Sequence, residues 1–180
     1  LRRTRCGGDA AGDTISGFEN VTGGSGGDIL TGTATDNTLR GNGGNDTLDG
    51  GAGADLFFGG SDTDTVTYAS AASGITLDLS NLGNNTGDAA GDTYSQVEVF
   101  VGSSFADAMT GDAGANILLG SGGADIITGN AGDDTLDGGS EDDTLTGGSG
   151  DDTIAGGSGS DIAVYAGDAS EFSVDASVRR

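Results

Sequence analysis

A nine-residue period runs through most of this chain. Twelve units open on Gly, carry Asp or Asn at the sixth place and a nonpolar residue at the eighth. The clearest copy is Gly23-Gly24-Ser25-Gly26-Gly27-Asp28-Ile29-Leu30-Thr31. Others begin at Gly32, Gly41, Gly50 and Gly59 and, after an interruption, at Gly102, Gly111, Gly120, Gly129, Gly138, Gly147 and Gly156. A fixed short period restricts a chain to repeat architectures, in which a unit buries its apolar side chain only by stacking on its neighbours.

Each unit divides into a turn, places one to six, and a short strand, places seven to nine. Glycines at places one, two and four permit positive φ in the turn. Side chains alternate across a strand, so place eight points inward while seven and nine point out. Two units then make one coil of about 18 residues, with a strand on each side and parallel pairing between coils. The fold expected is all-β. Helix is disfavoured, since each interior glycine costs a helix about 1 kcal/mol.

Apolar burial alone is a weak support for such a fold. The chain holds 38 Gly, no Trp, no Pro and nine aromatic residues. The repeated place supplies twelve nonpolar side chains, one of them Ala163. Ordering the backbone costs roughly 1–2 kcal/mol per residue, and glycine loses most. Low hydrophobicity with a net charge of −23 borders on the composition of disordered chains. The periodicity argues against disorder, and a further stabilising agent is expected.

Two arrays are legible, 23–67 with five units and 102–165 with seven. A lead-in segment or cap, 1–22, precedes the first, and a tail, 166–180, follows the second. Gly12-Asp13-Thr14-Ile15-Ser16-Gly17-Phe18-Glu19 resembles Gly91-Asp92-Thr93-Tyr94-Ser95-Gln96-Val97-Glu98, so each array has a similar approach. The intervening segment, 68–101, breaks the period. Alternation in Ile75–Leu79 and the run Val97–Val101 predict two strands, read as a β-hairpin-like insert capping one array. Asn81 to Asp92 is turn-rich and reads as a mobile loop.

The 18-residue coil stacks the sixth places into columns. In the first array these are Asp28, Asp46 and Asp64 on one side, Asn37 and Asp55 on the other. In the second they are Asp107, Asp125, Asp143 and Asp161, against Asn116, Asp134 and Asp152. Carboxylates about 5 Å apart repel by roughly 1 kcal/mol in water and more where desolvated. A divalent cation would reverse that penalty. Turn carbonyls, for example those of Gly24, Gly26, Gly120, Gly122, Gly138, Gly148 and Gly150, would add neutral oxygen donors. Several hard oxygens in flexible loops describe Ca²⁺ rather than Mg²⁺. With no His and one Cys, transition-metal sites have little support. Adjacent column pairs number eight, so up to about eight ions are expected, weaker at Asn37 and Asn116. The unit at Gly32 lacks the other glycines, and Asp62, Phe105 and Glu141 replace the fourth-place glycine.

Other chemistry is excluded or unsupported. Gly23–Gly27 fits a G-x-S-x-G elbow, but a chain without His cannot build a Ser-His-Asp triad. No Lys is present for a phosphate loop or a Schiff base. The acidic balance repels nucleic acid and anionic lipid. No apolar run is long enough for a transmembrane helix, and Cys6 alone excludes an internal disulfide. No signal peptide is recognisable. A chain opening on Leu1 is expected to be a fragment or processed product.

The pattern G-G-x-G-x-D-x-U-x, over most of residues 12–175, resembles the calcium-binding repeat of RTX (hemolysin-type) proteins. The resemblance implies a right-handed parallel β-roll in two stacked arrays. It also implies a module of a secreted, extracellular bacterial protein, free or attached to the cell surface, exported by a type I ABC channel and folding on Ca²⁺ outside the cell. Such modules support export and folding of an upstream domain, and the segment itself is not expected to be an enzyme. The alternative is an extracellular binding or adhesin module for ice, glycan or a partner, presented on the outward column Thr110, Thr128 and Thr146 beside Ala108, Ile126 and Thr144. The terminal export signal would fall in Phe172–Arg180.

Overall fold

The computed structural model describes residues 18–165 and, as backbone, the short strands Thr4–Arg5 and Thr14–Ile15. Cys6 and the tail 166–180 lie outside the described residues. Strands alternate with glycine turns throughout. In chain order they are β1 (Thr4–Arg5), β2 (Thr14–Ile15), β3 (Asn20–Thr22), β4 (Ile29–Thr31), β5 (Thr38–Gly43), β6 (Thr47–Asp49), β7 (Leu56–Ser61) and β8 (Thr65–Thr67). The intervening segment contributes β9 (Thr76–Asp78), β10 (Thr93–Ser95) and β11 (Val99–Val101). The second array contributes β12 (Ala108–Thr110), β13 (Ile117–Leu119), β14 (Ile126–Ala131), β15 (Thr135–Ser140), β16 (Thr144–Ser149), β17 (Thr153–Ser158) and β18 (Ile162–Val164).

All strand pairs are parallel, and within the arrays partners stand 18 residues apart, as Thr38 opposite Leu56 and Ile126 opposite Thr144. The chain winds between an eight-stranded sheet (β2, β4, β6, β8, β11, β13, β15, β17) and two five-stranded sheets (β1, β3, β5, β7, β10 and β9, β12, β14, β16, β18). This is the stack of parallel two-strand coils expected from the period, and the parallel β-roll that the resemblance implies. Place eight supplies its core: Leu30, Leu39, Leu48, Phe57, Val66, Met109, Leu118, Ile127, Leu136 and Leu145 are buried. Ile154 is half-buried and Ala163 exposed, because no later described coil covers them.

The segment 68–101 differs from the expected hairpin. Its strands do not pair with one another. β9 pairs with β12, β10 with β7, and β11 with both β8 and β13. A single antiparallel bridge, Thr76 to Thr86, is all that resembles a hairpin. The segment therefore carries the eight-stranded sheet unbroken from one array into the next. On the opposite side the chain passes from β9 to β10 without crossing, which leaves one extra strand and splits that side in two.

Asn81–Asp92, read as a loop, contains two 3-10 turns, Leu82–Asn84 and Gly87–Ala89, and buries Asn85, Ala89 and Asp92. The Asp92 carboxylate accepts hydrogen bonds from the Asp55 N–H (2.8 Å) and the Tyr68 hydroxyl (2.8 Å). Tyr68 and Tyr94 share a short hydroxyl contact, and Tyr94 stacks on Phe57 and meets Phe100 edge-on. Aromatic packing fills the seam where the extra strand leaves the repeat.

Candidate metal centre

The sixth place closes each turn immediately before the strand, so its side chain lies over the turn at the coil's edge. Ten of the twelve predicted site residues are buried: Asp28, Asn37, Asp46, Asp55, Asp64, Asp107, Asn116, Asp125, Asp134 and Asp143. Asp152 and Asp161, in the last coil, are half-buried. The columns form as expected. The backbone N–H of one member donates to Oδ1 of the member 18 residues on: Asp28 to Asp46 (2.7 Å), Asn37 to Asp55 (2.7 Å), Asp46 to Asp64 (2.9 Å) and Asp107 to Asp125 (2.8 Å). Asn116 to Asp134 (2.8 Å), Asp125 to Asp143 (2.8 Å), Asp134 to Asp152 (3.0 Å) and Asp143 to Asp161 (3.1 Å) complete the set. Each accepting carboxylate thus serves as a rung between coils.

The other carboxylate oxygen divides the units into two kinds. In the first two units of each array it is capped within its own turn. Gly24 N–H donates to Asp28 Oδ2 (2.5 Å) and Ser103 N–H to Asp107 Oδ2 (2.6 Å). Thr33 and Asp112 N–H donate to the amide oxygens of Asn37 (2.6 Å) and Asn116 (2.9 Å). The remaining eight units, from Gly41, Gly50, Gly59, Gly120, Gly129, Gly138, Gly147 and Gly156, have positive φ at places two and four. That conformation turns the place-two N–H away from its own carboxylate. Oδ2 of Asp46, Asp55, Asp64, Asp125, Asp134 and Asp143 is consequently buried with no hydrogen-bond partner.

Place one is glycine for a different reason from the one the sequence gives. Its φ is not positive in any unit. Instead a Cβ would collide with the place-six oxygen of its own unit, at all twelve positions. At the inner units it would also meet the place-one carbonyl of the next coil: Gly59 O at 2.7 Å from a Cβ on Gly41, Gly138 O at 2.6 Å from one on Gly120, and Gly156 O at 2.7 Å from one on Gly138. An unpartnered carboxylate oxygen and a carbonyl oxygen thus border one small space. Gly120 and Gly138 are among the carbonyl donors expected; Gly24, Gly26, Gly122, Gly148 and Gly150 occupy places two to four of their turns.

Among the described residues no three Asp, Glu, His or Cys converge on one point. A cation here would need backbone oxygens as well as carboxylates, the mixture that suits Ca²⁺. The electrostatics agree. Burial pushes the Asp55 and Asp125 carboxyls up to about 7, and that of Asp46 up to about 6, against the N–H bond each accepts. Asp64, Asp134 and Asp143 are raised for the same first reason. Neighbouring charges add to it, Asp64 and Asp28 on Asp46, Asp107 and Asp143 on Asp125. The unfavourable state is therefore the bare anion, and a positive charge beside Oδ2 relieves it. The donor set, the orphaned oxygens and the space fit a calcium ion.

The expected site set missed the off-repeat members of the same columns. Asp92 accepts from Asp55, Glu98 Oε2 from Asp64 (2.9 Å), and Ile75 stands where the second-array column begins, its N–H on Asp107 Oδ1 (2.7 Å). Asp92-Thr93-Tyr94 repeats the order of Asp46-Thr47-Leu48 and could have revealed its unit. Ile75 carries no such signal.

No curated protein matches the chain. A family model described as the RTX calcium-binding nonapeptide repeat matches in four copies, over residues 22–56, 31–66, 101–136 and 128–163. These spans cover both arrays and more than half of the sequence. With its parallel β-roll and stacked aspartate turns, the chain belongs to the RTX calcium-binding nonapeptide-repeat family.

Proposed function

We propose that this chain is a calcium-folded module that winds up outside the cell and there supports type I export and folding of an upstream domain. One observation carries the calcium reading: six buried carboxylate oxygens without partners in a chain of net charge −23. Leaving a buried charge unpaired costs several kcal/mol. Bound Ca²⁺ supplies a hard positive charge that accepts oxygen donors in a flexible shell. The place-six residues hold it: Asp46, Asp55, Asp64, Asp125, Asp134, Asp143, Asp152 and Asp161 through their open oxygen. Asp28, Asn37, Asp107 and Asn116 do so as their column partners. Glycine-turn carbonyls complete the shell. The eight adjacent pairs within the columns accommodate up to about eight ions.

The setting follows from linkage. A ligand that binds only the folded state stabilises it by RT ln(1 + [L]/Kd). Extracellular modules bind Ca²⁺ at about 10⁻⁴–10⁻³ M, so the roll stays unwound at cytosolic calcium and closes outside, which opposes backsliding through the channel. Far-UV circular dichroism during a Ca²⁺ titration tests the reading. At pH 7.5 a β spectrum should develop in the submillimolar-to-millimolar range and vanish on chelation; one that survives full chelation at that pH contradicts the reading.

A second reading, a recognition face, has one observation in its favour. Thr110, Thr128 and Thr146 lie in register on adjacent strands, beside Ala108, Ile126 and Thr144. Asp78 and Val164 stand at the two ends of the threonine column and limit it to three residues. Thermal hysteresis or glycan-array binding by the calcium-loaded chain would favour this reading.

A further inference from the structure

The last unit of the first array abuts residues that lie outside the nonapeptide pattern. At inner units three features recur. The place-six N–H donates to the carboxylate one coil on, as Asp46 to Asp64 at 2.9 Å. The place-six Oδ2 is buried without a partner. The place-one carbonyl of the next coil closes over the glycine beneath it, as Gly59 does over Gly41. After Asp64 the period is lost, yet all three features persist. Asp64 N–H donates to Glu98 Oε2 at 2.9 Å. Asp64 is 0% exposed and its Oδ2 has no partner. The Gln96 carbonyl crowds Gly59 together with Asp64 Oδ2, and accepts from Gly60 N–H at 3.2 Å.

The backbone confirms the equivalence. Val99 N–H donates to the Asp64 carbonyl at 3.0 Å, as Thr65 N–H does to the Asp46 carbonyl at 2.8 Å. Gln96-Val97-Glu98 is thus a whole turn contracted by three residues, with Gln96 at place one and Glu98 at place six. Gln96 takes the left-handed backbone, φ 55°, that this contraction demands. Glutamate has one methylene more than aspartate, which lengthens its reach from the shortened turn.

We propose that Asp64, Glu98 and the Gln96 carbonyl form an additional calcium site, beyond those the repeats encode, that fastens the first array to the segment leading into the second. It rests on the calcium reading above. Two carboxylates and a neutral carbonyl match the donors of the inner units. Because Val99–Val101 pairs with strands of both arrays, an ion at this turn ties the closing of one array to the start of the next.

Native mass spectrometry of the full chain in excess Ca²⁺ tests this. Glu98→Gln keeps an oxygen for the Asp64 N–H and removes the charge. It should bind one ion fewer, or weaken one binding step by at least about tenfold, with unchanged β content at saturation. Asp88→Asn, an equal loss of charge in the same segment, should bind the full number. An unchanged count and unchanged affinities in Glu98→Gln overturn the site. Should that variant not wind, anomalous diffraction from the unaltered chain in calcium decides. A peak beside Asp64 Oδ2 and Glu98 supports the site, and peaks in the repeat turns with none there overturn it. A chain that takes up no calcium anywhere overturns the calcium reading itself, and this site with it.

Discussion

Asp125 and Gly120 illustrate how a residue-scale rule arises from contacts 18 positions apart. The sequence shows that place one is always glycine and place six nearly always aspartate. It does not show why, because the cause is the approach of the residue's own carboxylate together with a carbonyl from the following coil. A methyl group at Gly120 would meet Asp125 Oδ2 and the Gly138 carbonyl at 2.6 Å. Gly120→Ala should therefore destabilise the calcium-loaded chain by about 1–3 kcal/mol in chemical denaturation and weaken calcium binding. Gly114→Ala is the contrast, since its nearest neighbour is Asp112 Oδ1 at 3.4 Å, and its effect should be within about 0.5 kcal/mol.

The buried carboxyls also set a pH dependence, with a sign opposite to that of a salt-bridged aspartate. Burial raises Asp46, Asp55 and Asp125 to about 6, 7 and 7 from the ordinary 3.8. The metal-free folded state therefore holds more protons than the unfolded chain between about pH 4 and 7, and its stability falls as pH rises through that window. Without calcium the β signal should be larger at pH 4.5 than at pH 7.5. Calcium competes with those protons, so its affinity should drop as pH falls below about 6. A metal-free β signal that grows with pH would contradict the burial argument.

At the scale of strands and turns, the repeats were legible and their interruption was only half so. Place eight is nonpolar in every unit, and from Leu30 to Leu145 those side chains do face inward. Leu136→Ala should cost about 2–5 kcal/mol, because its neighbours in a column of stacked strands cannot collapse into the void. Ile154→Ala, in a half-buried coil, should cost clearly less by the same denaturation measurement. For 68–101 the alternation gave two strands in the right places but not their partners. Period-two patterning states which face is buried, whereas pairing is decided by where the coil returns. Thr76–Asp78 and Val99–Val101 join different sheets because each completes a coil. The unit around Ile75 was invisible, since an apolar residue stands where the other units carry an acidic or amide side chain. The two kinds of turn were equally hidden: φ at place two separates them, and Asn42, Ser121 and Asn130 adopt positive values without glycine.

For the whole molecule, the shared eight-stranded sheet matters more than the division into arrays. β11 is hydrogen-bonded to β8 of the first array and to β13 of the second, so one sheet runs unbroken across the junction although the opposite side is split there. In a stack of coupled coils the interface terms dominate cooperativity. The calcium-loaded chain should therefore unfold in one calorimetric transition rather than two, and two resolved transitions would show that the junction is weak. A net charge of −23 makes the unwound chain self-repelling, and long-range repulsion is screened by salt. Added NaCl should nevertheless not restore the roll, because the unsatisfied oxygens are buried and need a ligand rather than an ionic atmosphere.

The most direct measurement is an anomalous difference map from crystals of the chain grown in millimolar calcium. Peaks should lie beside Oδ2 of Asp46, Asp125, Asp134 and Asp143, each within calcium–oxygen bonding distance, about 2.3–2.6 Å, of that atom and of a turn carbonyl. An ordered roll whose Oδ2 atoms are met only by water, with no peak in the turns, would contradict the account.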